Sequence, residues 1–231
     1  MSGKEELVLA GKIFKLMERI SIEQIAEKLN GYKTETPLEG TDINLITEIR
    51  DLRSSKSGLE GLIARDVPVR LYKRGQVDIS FRTIETPFAF YLRESDICLL
   101  VVEKKNAANA LANKFSELLF LSIGGILNCQ IESKVLESYH RSNPDGTKVM
   151  FFDGLGIPNI DKLSLYGPSL SQTALYSTYI SSGSIWYAVL TSSKYGYVVG
   201  LTRDSVVVVF NRISVDDLIL FIGDELLQLI H

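Results

Sequence analysis

The feature that most constrains the fold of this chain is a weak internal repeat. Residues 75–121 align with residues 183–229 at a constant offset of 108 without a gap, and seven positions are identical, among them Asp96 with Asp204. In both segments, strand-like runs separated by turns lead into a leucine-rich helical pattern. Because repeats indicate one supersecondary unit used more than once, we expect two copies of a single α+β module.

Each module is predicted to contain a helix, two strands, a middle helix, three strands and a closing helix. Upstream of residue 75 the offset falls to 88, and the difference of 20 residues lies where the second copy has its middle helix. The first copy is therefore expected to lack that helix. Strands joined by hairpins form an antiparallel sheet that carries helices on its faces. The predicted fold class is α+β, with two antiparallel-sheet modules of order α-β-β-α-β-β-β-α.

One apolar run predicts its own place in the sheet. Residues Ile97–Val102, ICLLVV, are apolar without interruption over the length of a strand. A strand with no polar alternation is buried on both faces. We therefore expect a central strand here, preceded by strands at Val77–Thr83 and Phe88–Arg93.

The residues before the repeat predict a helix pair. Ser21 with Gln24 forms a capping-box pattern that predicts a helix ending near Asn30. The polar residues 31–41 then predict a linker, and residues 42–55 a further helix. The first helix of the pair is predicted from apolar residues at three-to-four spacing, namely Leu7, Ala10, Ile13, Phe14 and Met17.

These patterns divide the chain into three predicted parts. Residues 1–40 are a helical extension and linker, residues 41–125 the shorter module, and residues 126–231 the complete module. Domains of about 100 residues are near the usual size.

Composition limits the classes of partner and compartment. The net charge is -3 and the pI about 5.5, which gives no general electrostatic reason for binding nucleic acid or an anionic membrane. Cys98 and Cys129 lack a C-x-x-C partner and are expected to be free, buried and reduced. No signal peptide or membrane span is predicted. A cytoplasmic protein is expected.

No catalytic or metal-binding pattern is present in the sequence. The histidines, His140 and His231, have no ligand at metal-binding spacing. Gly154-Leu155-Gly156 begins like a dinucleotide fingerprint, but Asn159 stands where the third glycine is needed, so a hairpin turn is predicted. Asp216-Asp217 is interpreted as favouring a helix N-terminus. We expect no enzyme activity and no cofactor.

A basic segment at residues 50–82 gives a candidate contact site. Its residues Arg65, Arg70, Lys73 and Arg74 are candidates for contact with an acidic partner or with phosphate. The alternative interpretation is a solvated face on alternating strand positions.

The element order of the second copy resembles the Roadblock/dynein light chain family, a relative of the longin and profilin-like folds. Two segments carry the resemblance: TKVMFFDGLGIPNID, similar to the family's first hairpin, and KYGYVVGLTRDSVVVVFNRISVDDLILFIGDELLQLI, similar to its last two strands and closing helix. The likeness covers residues 130–231 well and residues 41–121 poorly.

The resemblance implies an interface and a class of partner. Family members dimerise through their third strand and middle helix, and many regulate Ras-like small GTPases. The implied interface residues are Ile185, Tyr187 and Val189 on the pairing strand and Leu175, Tyr176 and Tyr179 on the middle helix. The pairing would join two chains or form a pseudo-dimer within one chain.

Two functions from different classes are therefore predicted. The first is a non-catalytic protein-interaction scaffold or regulator, with a small GTPase as the implied partner. The second is a DNA-binding transcription regulator that uses the N-terminal helix pair as a helix-turn-helix. In the second, the two modules serve for dimerisation or sensing.

Overall fold

The computed structural model describes residues 7–55, 58–94, 96–143, 146 and 148–230. The predictions for residues 1–6 and for His231 lie outside this part of the chain. The described residues form twelve strands and five α-helices. The strands are β1 Leu7–Leu16, β2 Lys33–Pro37, β3 Asn44–Ser55, β4 Gly58–Lys73, β5 Gln76–Arg93, β6 Asp96–Val101, β7 Ile126–Asn128, β8 Val149–Asp153, β9 Lys162–Tyr166, β10 Ser184–Thr191, β11 Val198–Thr202 and β12 Val206–Ile213.

The helices lie between groups of these strands and after the last one. They are α1 Ile22–Leu29, α2 Lys105–Phe120, α3 Ser133–Ser142, α4 Ala174–Ser182 and α5 Val215–Phe221. A π turn at Ile222–Leu226 and a 3-10 turn at Leu227–Leu229 continue α5.

All twelve strands belong to one antiparallel sheet, so the predicted fold of two separate modules is wrong. The strand order is β2-β3-β4-β5-β6-β1-β12-β11-β10-β8-β9, with β7 paired to β1. Strand β1 joins the two parts because Lys12 pairs with Val101 of β6 on one side and with Val206 of β12 on the other. The edges that would separate two modules are thus hydrogen-bonded to a shared strand.

Of the two helices predicted at the N-terminus, the first is a strand and the second is a helix. Residues 7–16 form strand β1, because consecutive residues Ile13 and Phe14 are buried on opposite faces of the sheet in different core clusters. Apolar residues on both faces of a strand imitated the three-to-four spacing of a helix. Helix α1 is confirmed, and Ser21 and Gln24 form both hydrogen bonds of the capping box. A helix-turn-helix therefore does not form here.

Two further N-terminal predictions are also corrected. The predicted helix over residues 42–55 is strand β3, and the predicted linker contains strand β2, whose residues are all exposed. Strand β3 pairs with β2 and β4 and buries Ile49. Its polar residues, which suit a solvent-exposed helix, lie on the exposed positions of a sheet near its edge.

The repeat is reproduced only in its last two elements. Strands β6 and β12 are each followed by a helix, α2 and α5, as the alignment predicts. Residues 76–93, however, form one 18-residue strand, whereas the aligned residues of the second copy form β10, a turn and β11. Strand β4 pairs with β5 along its whole length. The turn predicted between Thr83 and Phe88 is therefore absent from this described segment.

The central strand is confirmed, and it separates two cores. Cys98 and Leu100 of β6 join a core formed with α3, α4 and α5, while Ile97, Leu99 and Val101 join a second core formed with α1 and α2. Helices α1 and α2 therefore cover one face of the sheet and α3–α5 cover the other.

Candidate interaction surfaces

The long hairpin of β4 and β5 extends beyond its neighbouring strands. The last β3 pair with β4 is Thr47 with Arg65, and the pairing of β6 with β5 begins at Phe88. Residues 66–83 between these limits pair only with each other and are called the ribbon. Eight residue pairs at the usual rise per strand residue give the ribbon a length of about 25 Å.

The turn at the ribbon's tip is set by backbone conformation. Arg74 and Gly75 have φ values of 47° and 83°. Positive φ at both central residues is the requirement of the type I′ turn, which matches the twist of a two-residue hairpin. Glycine adopts this conformation without steric cost, so Arg74-Gly75 fixes the hairpin register.

One face of the ribbon is largely apolar. Directly paired residues share a face, which here carries three cross-strand pairs: Pro68 with Phe81, Arg70 with Ile79, and Tyr72 with Val77. Tyr72 is 76% exposed, Val77 52%, Phe81 44% and Ile79 43%. Large apolar side chains thus follow one another along a surface that no described residue covers.

The ribbon is also positively charged on a chain that is net negative. It carries Arg70, Lys73, Arg74 and Arg82 against Asp66 and Asp78. Asp66 accepts hydrogen bonds from the Thr83 hydroxyl and the Ile46 amide, which lower its pKa. The Nζ of Lys73 lies 3.7 Å from Asp78. Arg70, Arg74 and Arg82 form no ion pair within the part of the chain that the structure describes.

The structure brings together three of the four predicted basic contact residues. Arg70, Lys73 and Arg74 are all exposed on the ribbon. Arg65 lies at its base, half-buried, and its Nε is buried without a hydrogen-bond partner among the described residues.

Of the interface residues predicted from the family resemblance, those on the strand lie inside the sheet and those on the helix differ in exposure. Strand β10 pairs with β8 on one edge and with β11 on the other. Edge-to-edge pairing with another chain needs a free edge, which β10 lacks. Ile185 and Val189 are buried and Tyr187 is half-buried. On α4, Leu175 is 56% exposed, Tyr176 is buried and Tyr179 packs against the core.

The core contains two clusters of hydrogen-bonded polar side chains that the sequence did not predict. The Nδ1 of His140 lies 2.9 Å from the Tyr176 hydroxyl, and both side chains are buried between α3 and α4. Burial lowers the pKa of His140, with a further contribution from Arg141, and raises the pKa of Tyr176 to about 12. The buried carboxylate of Glu225 accepts hydrogen bonds from the hydroxyls of Tyr139 and Ser192. No spacing in the sequence indicated either contact.

A second surface lies on the face of the sheet opposite α3–α5. Met150 and Phe152 of β8 point into the core beneath these helices, so the alternating residue Phe151 points the other way. Phe151 contacts Trp186, with ring centroids 5.3 Å apart, and Tyr187, at 5.4 Å. Tyr166 of β9, at 6.1 Å from Phe151, is 68% exposed. These four rings are called the aromatic face.

No protein-family model and no curated protein sequence matches this chain. Among the described residues, no three His, Cys, Asp or Glu side chains are grouped closely enough to hold a metal ion. None of the helices in these residues has the length and hydrophobicity needed to cross a bilayer.

Proposed function

We propose that the protein is a non-catalytic interaction protein of the cytoplasm that binds an acidic protein partner through the ribbon. The observation that carries the proposal is the apolar face of the ribbon, formed by Pro68, Arg70, Tyr72 and the residues paired with them. The cytoplasmic location is supported by two cysteines that are free and buried.

The energetic reason for a partner is the exposed apolar area. Exposed apolar clusters rimmed by polar groups mark interaction sites, and aromatic and arginine side chains supply most of the binding energy in protein interfaces. Tyr72, Phe81 and Arg70 are of these types. A two-stranded ribbon also contributes little to the stability of the sheet. Binding therefore explains the length of this hairpin better than stability does.

The charge of the ribbon selects the kind of partner. Packing the apolar face against the same face of a second ribbon would bring Arg70 of both copies into one interface, and like charges at an interface cost binding energy. A partner surface that is acidic and carries an apolar strip complements both the positive charge and the apolar residues of the ribbon. A small GTPase, the partner implied by the family resemblance, is one such candidate and stays a prediction.

The test begins with a photo-crosslinking amino acid at Tyr72 in the cell that makes the protein. A matched probe at Leu121, which is 93% exposed at the end of α2, is the control. A partner captured at position 72 alone is then purified, and its Kd is measured by calorimetry. The same titration is run with GDP-loaded and GTP-loaded small GTPases.

We expect charge reversal on the ribbon to weaken this binding strongly. The triple variant Arg70→Glu, Lys73→Glu, Arg74→Glu should raise the Kd by about a hundredfold or more, since each charge contributes to steering and to contact. Lys134→Glu, an exposed reversal on α3, should leave it unchanged. Equal Kd values for the triple variant and the wild type would refute the proposal. Dimerisation of the wild type by light scattering, lost in the triple variant, would make a second copy the partner.

A further inference from the structure

A β-bulge shapes one end of the aromatic face. In the pairing of β8 with β10, Ile185 lies opposite Phe152 and Tyr187 opposite Phe151, so Trp186 is the extra residue. Two residues of a bulged strand oppose one on the partner. Trp186 and Tyr187 are thereby brought to the same face. Bulges are frequent beside binding sites because they redirect a side chain.

Trp186 forms one wall of a cavity between β9–β12 and the N-terminus of α2. The cavity has a volume of ≈ 430 Å³ and is lined among others by Lys105, Lys162, Thr202 and Arg203. The Nε1 of Trp186 is buried and has no hydrogen-bond partner among the described residues. The cavity therefore combines a flat aromatic surface with three cationic side chains.

The cations are held in place on the cavity wall. Arg203 donates to both carboxylate oxygens of Asp153, at 2.7 and 3.3 Å. The Nζ of Lys105 lies 2.5 Å from Asp204. Lys162 lies over the Trp186 ring, with its Nζ 4.9 Å from the centroid. Three cations with two carboxylates leave an excess of positive charge on the wall.

A fourth cation lies beneath the cavity and donates its hydrogen bond to a neutral side chain. Lys12 of β1 pairs with Val206, which lines the cavity, and its side chain is 1% exposed. Its Nζ donates to the neutral Asn109 Oδ1 at 2.7 Å. Burial lowers the pKa of Lys12, as does the nearby Lys105, whereas the nearby Asp204 carboxylate raises it. Burying a cation is costly, and a bound anion would add to the stabilisation that Asp204 provides.

The first turn of α2 adds to the same positive field. This helix has 16 residues, no acidic residue in its first turn and no side-chain cap at Lys104. The N-terminal end of a helix carries partial positive charge and free amide donors that suit a phosphate group. The Glu103 carboxylate accepts a hydrogen bond from the Lys104 amide, and the helix end adds its field to that of the cations on the cavity wall.

We propose that this cavity binds a nucleoside phosphate, with the phosphate beside Lys105 and Arg203 and the base against the Trp186 ring, where it displaces the Lys162 ammonium. Stacking on aromatic side chains tolerates every base, because each base has a π face. The nucleoside phosphate is either a free mononucleotide or one unit of a single strand. For a single strand, the exposed Tyr166 offers the adjacent base a second stacking surface.

The single tryptophan of the chain reports directly on this site. Tryptophan fluorescence is titrated with AMP, adenosine, inorganic phosphate and a single-stranded adenine octanucleotide. We expect saturable quenching by AMP below about 1 mM, and weaker binding of adenosine and of phosphate alone. Calorimetry gives an independent Kd. Absence of quenching and of heat with AMP and with the octanucleotide would overturn the proposal.

Variants then locate the phosphate. Lys105→Ala and Arg203→Gln should each weaken AMP binding by about tenfold, the usual effect of losing a charge-assisted hydrogen bond. Lys134→Ala should leave the binding unchanged, and circular dichroism confirms that each variant is folded. AMP binding unaffected by both Lys105→Ala and Arg203→Gln would also contradict the assignment.

The oligonucleotide distinguishes the two sources of the ligand. If the single strand is the ligand, it binds more tightly than AMP, its affinity falls with salt, and Tyr166→Ala weakens it selectively. If the free mononucleotide is the ligand, AMP binds at least as tightly and Tyr166→Ala has no effect.

Discussion

The two parts of the sheet on either side of β1 differ in which face their helices cover. In the first part, β2–β6, helices α1 and α2 cover one face. In the second part, β8–β12, helices α3–α5 cover the opposite face. Helix α5 also reaches the first part, where the Tyr91 hydroxyl donates to the Ile219 carbonyl at 2.9 Å.

This difference leaves each part with a different exposed surface. The first part has a long hairpin whose outer half forms the ribbon, whereas the second part has short strands and a sheet face with aromatic side chains that none of the described helices α3–α5 covers. Helix placement, rather than strand order alone, thus determines which surface of each part is free to bind. One shared strand holds both arrangements in a single sheet.

The largest predicted effect tests whether β1 unites the two parts. Ile13→Asp puts a carboxylate at a position that is 0% exposed, and burying an unpaired charge should cost about 4 kcal/mol or more. We expect β2–β6 and β8–β12 to unfold together in one transition. Hydrogen exchange measures the unfolding of each part. Val8→Asp on the same strand, at a site 56% exposed, should cost less than about 1 kcal/mol. Survival of either part in Ile13→Asp would show that the parts fold independently.

A smaller effect separates the ribbon from the sheet within β5. Phe90 is 0% exposed and contacts Phe88 and Phe115 edge to face, with centroids 5.8 and 5.7 Å apart. Phe90→Ala should lower the free energy of unfolding by about 3–5 kcal/mol. Phe81→Ala, in the ribbon, should change it by about 0.5 kcal/mol or less. Urea denaturation measures both losses of unfolding free energy. Similar losses in the two variants would mean that the ribbon packs against the rest of the protein.

The smallest effect concerns acid stability and should arise in the second part alone. Burial depresses the pKa of His140 below its ordinary 6.5, so the unfolded chain takes up a proton that the folded chain excludes. Its contribution to stability is present above the ordinary pKa and is lost as pH falls towards the depressed value.

Thermal unfolding checks this effect. The melting temperature should decrease as the pH is lowered from about 7.5 to about 5.5. The decrease should be smaller in His140→Gln. Hydrogen exchange should increase first in α3 and α4. An unchanged pH slope in the variant would assign the acid sensitivity to other groups.

The sequence predicted local features better than it predicted their assembly. The central strand at Ile97–Val102 and the capping box of α1 were readable because each depends on neighbouring residues alone. Strand β1 was mistaken for a helix because both of its faces are buried, which removes the alternation that identifies a strand. The two-module fold failed because the chain pattern does not show which strand edges meet.

For the candidate sites too, the sequence predicted local features but not how they assemble. Charge counting identified Arg70, Lys73 and Arg74, but the apolar face of the ribbon became visible only from the register of β4 with β5. The cavity depends on a bulge in β10 and on the approach of α2 to β12, two features without a signal in the sequence. Cys98 and Cys129 are free and buried as predicted. The neighbouring Cys129 thiol lowers the pKa of Cys98.

The pairing of β1 with β12 has a consequence for how the chain reaches its fold. Leu7 pairs with Ile213, so the shared strand finds one neighbour only after nearly the whole sequence is available. Contacts of such long separation slow folding, because the entropy of closing the loop is lost before the contact forms. Until then β6 and β12 each keep an open edge that can recruit a foreign strand. The period before β1 inserts is therefore the time at which this protein is most prone to aggregate.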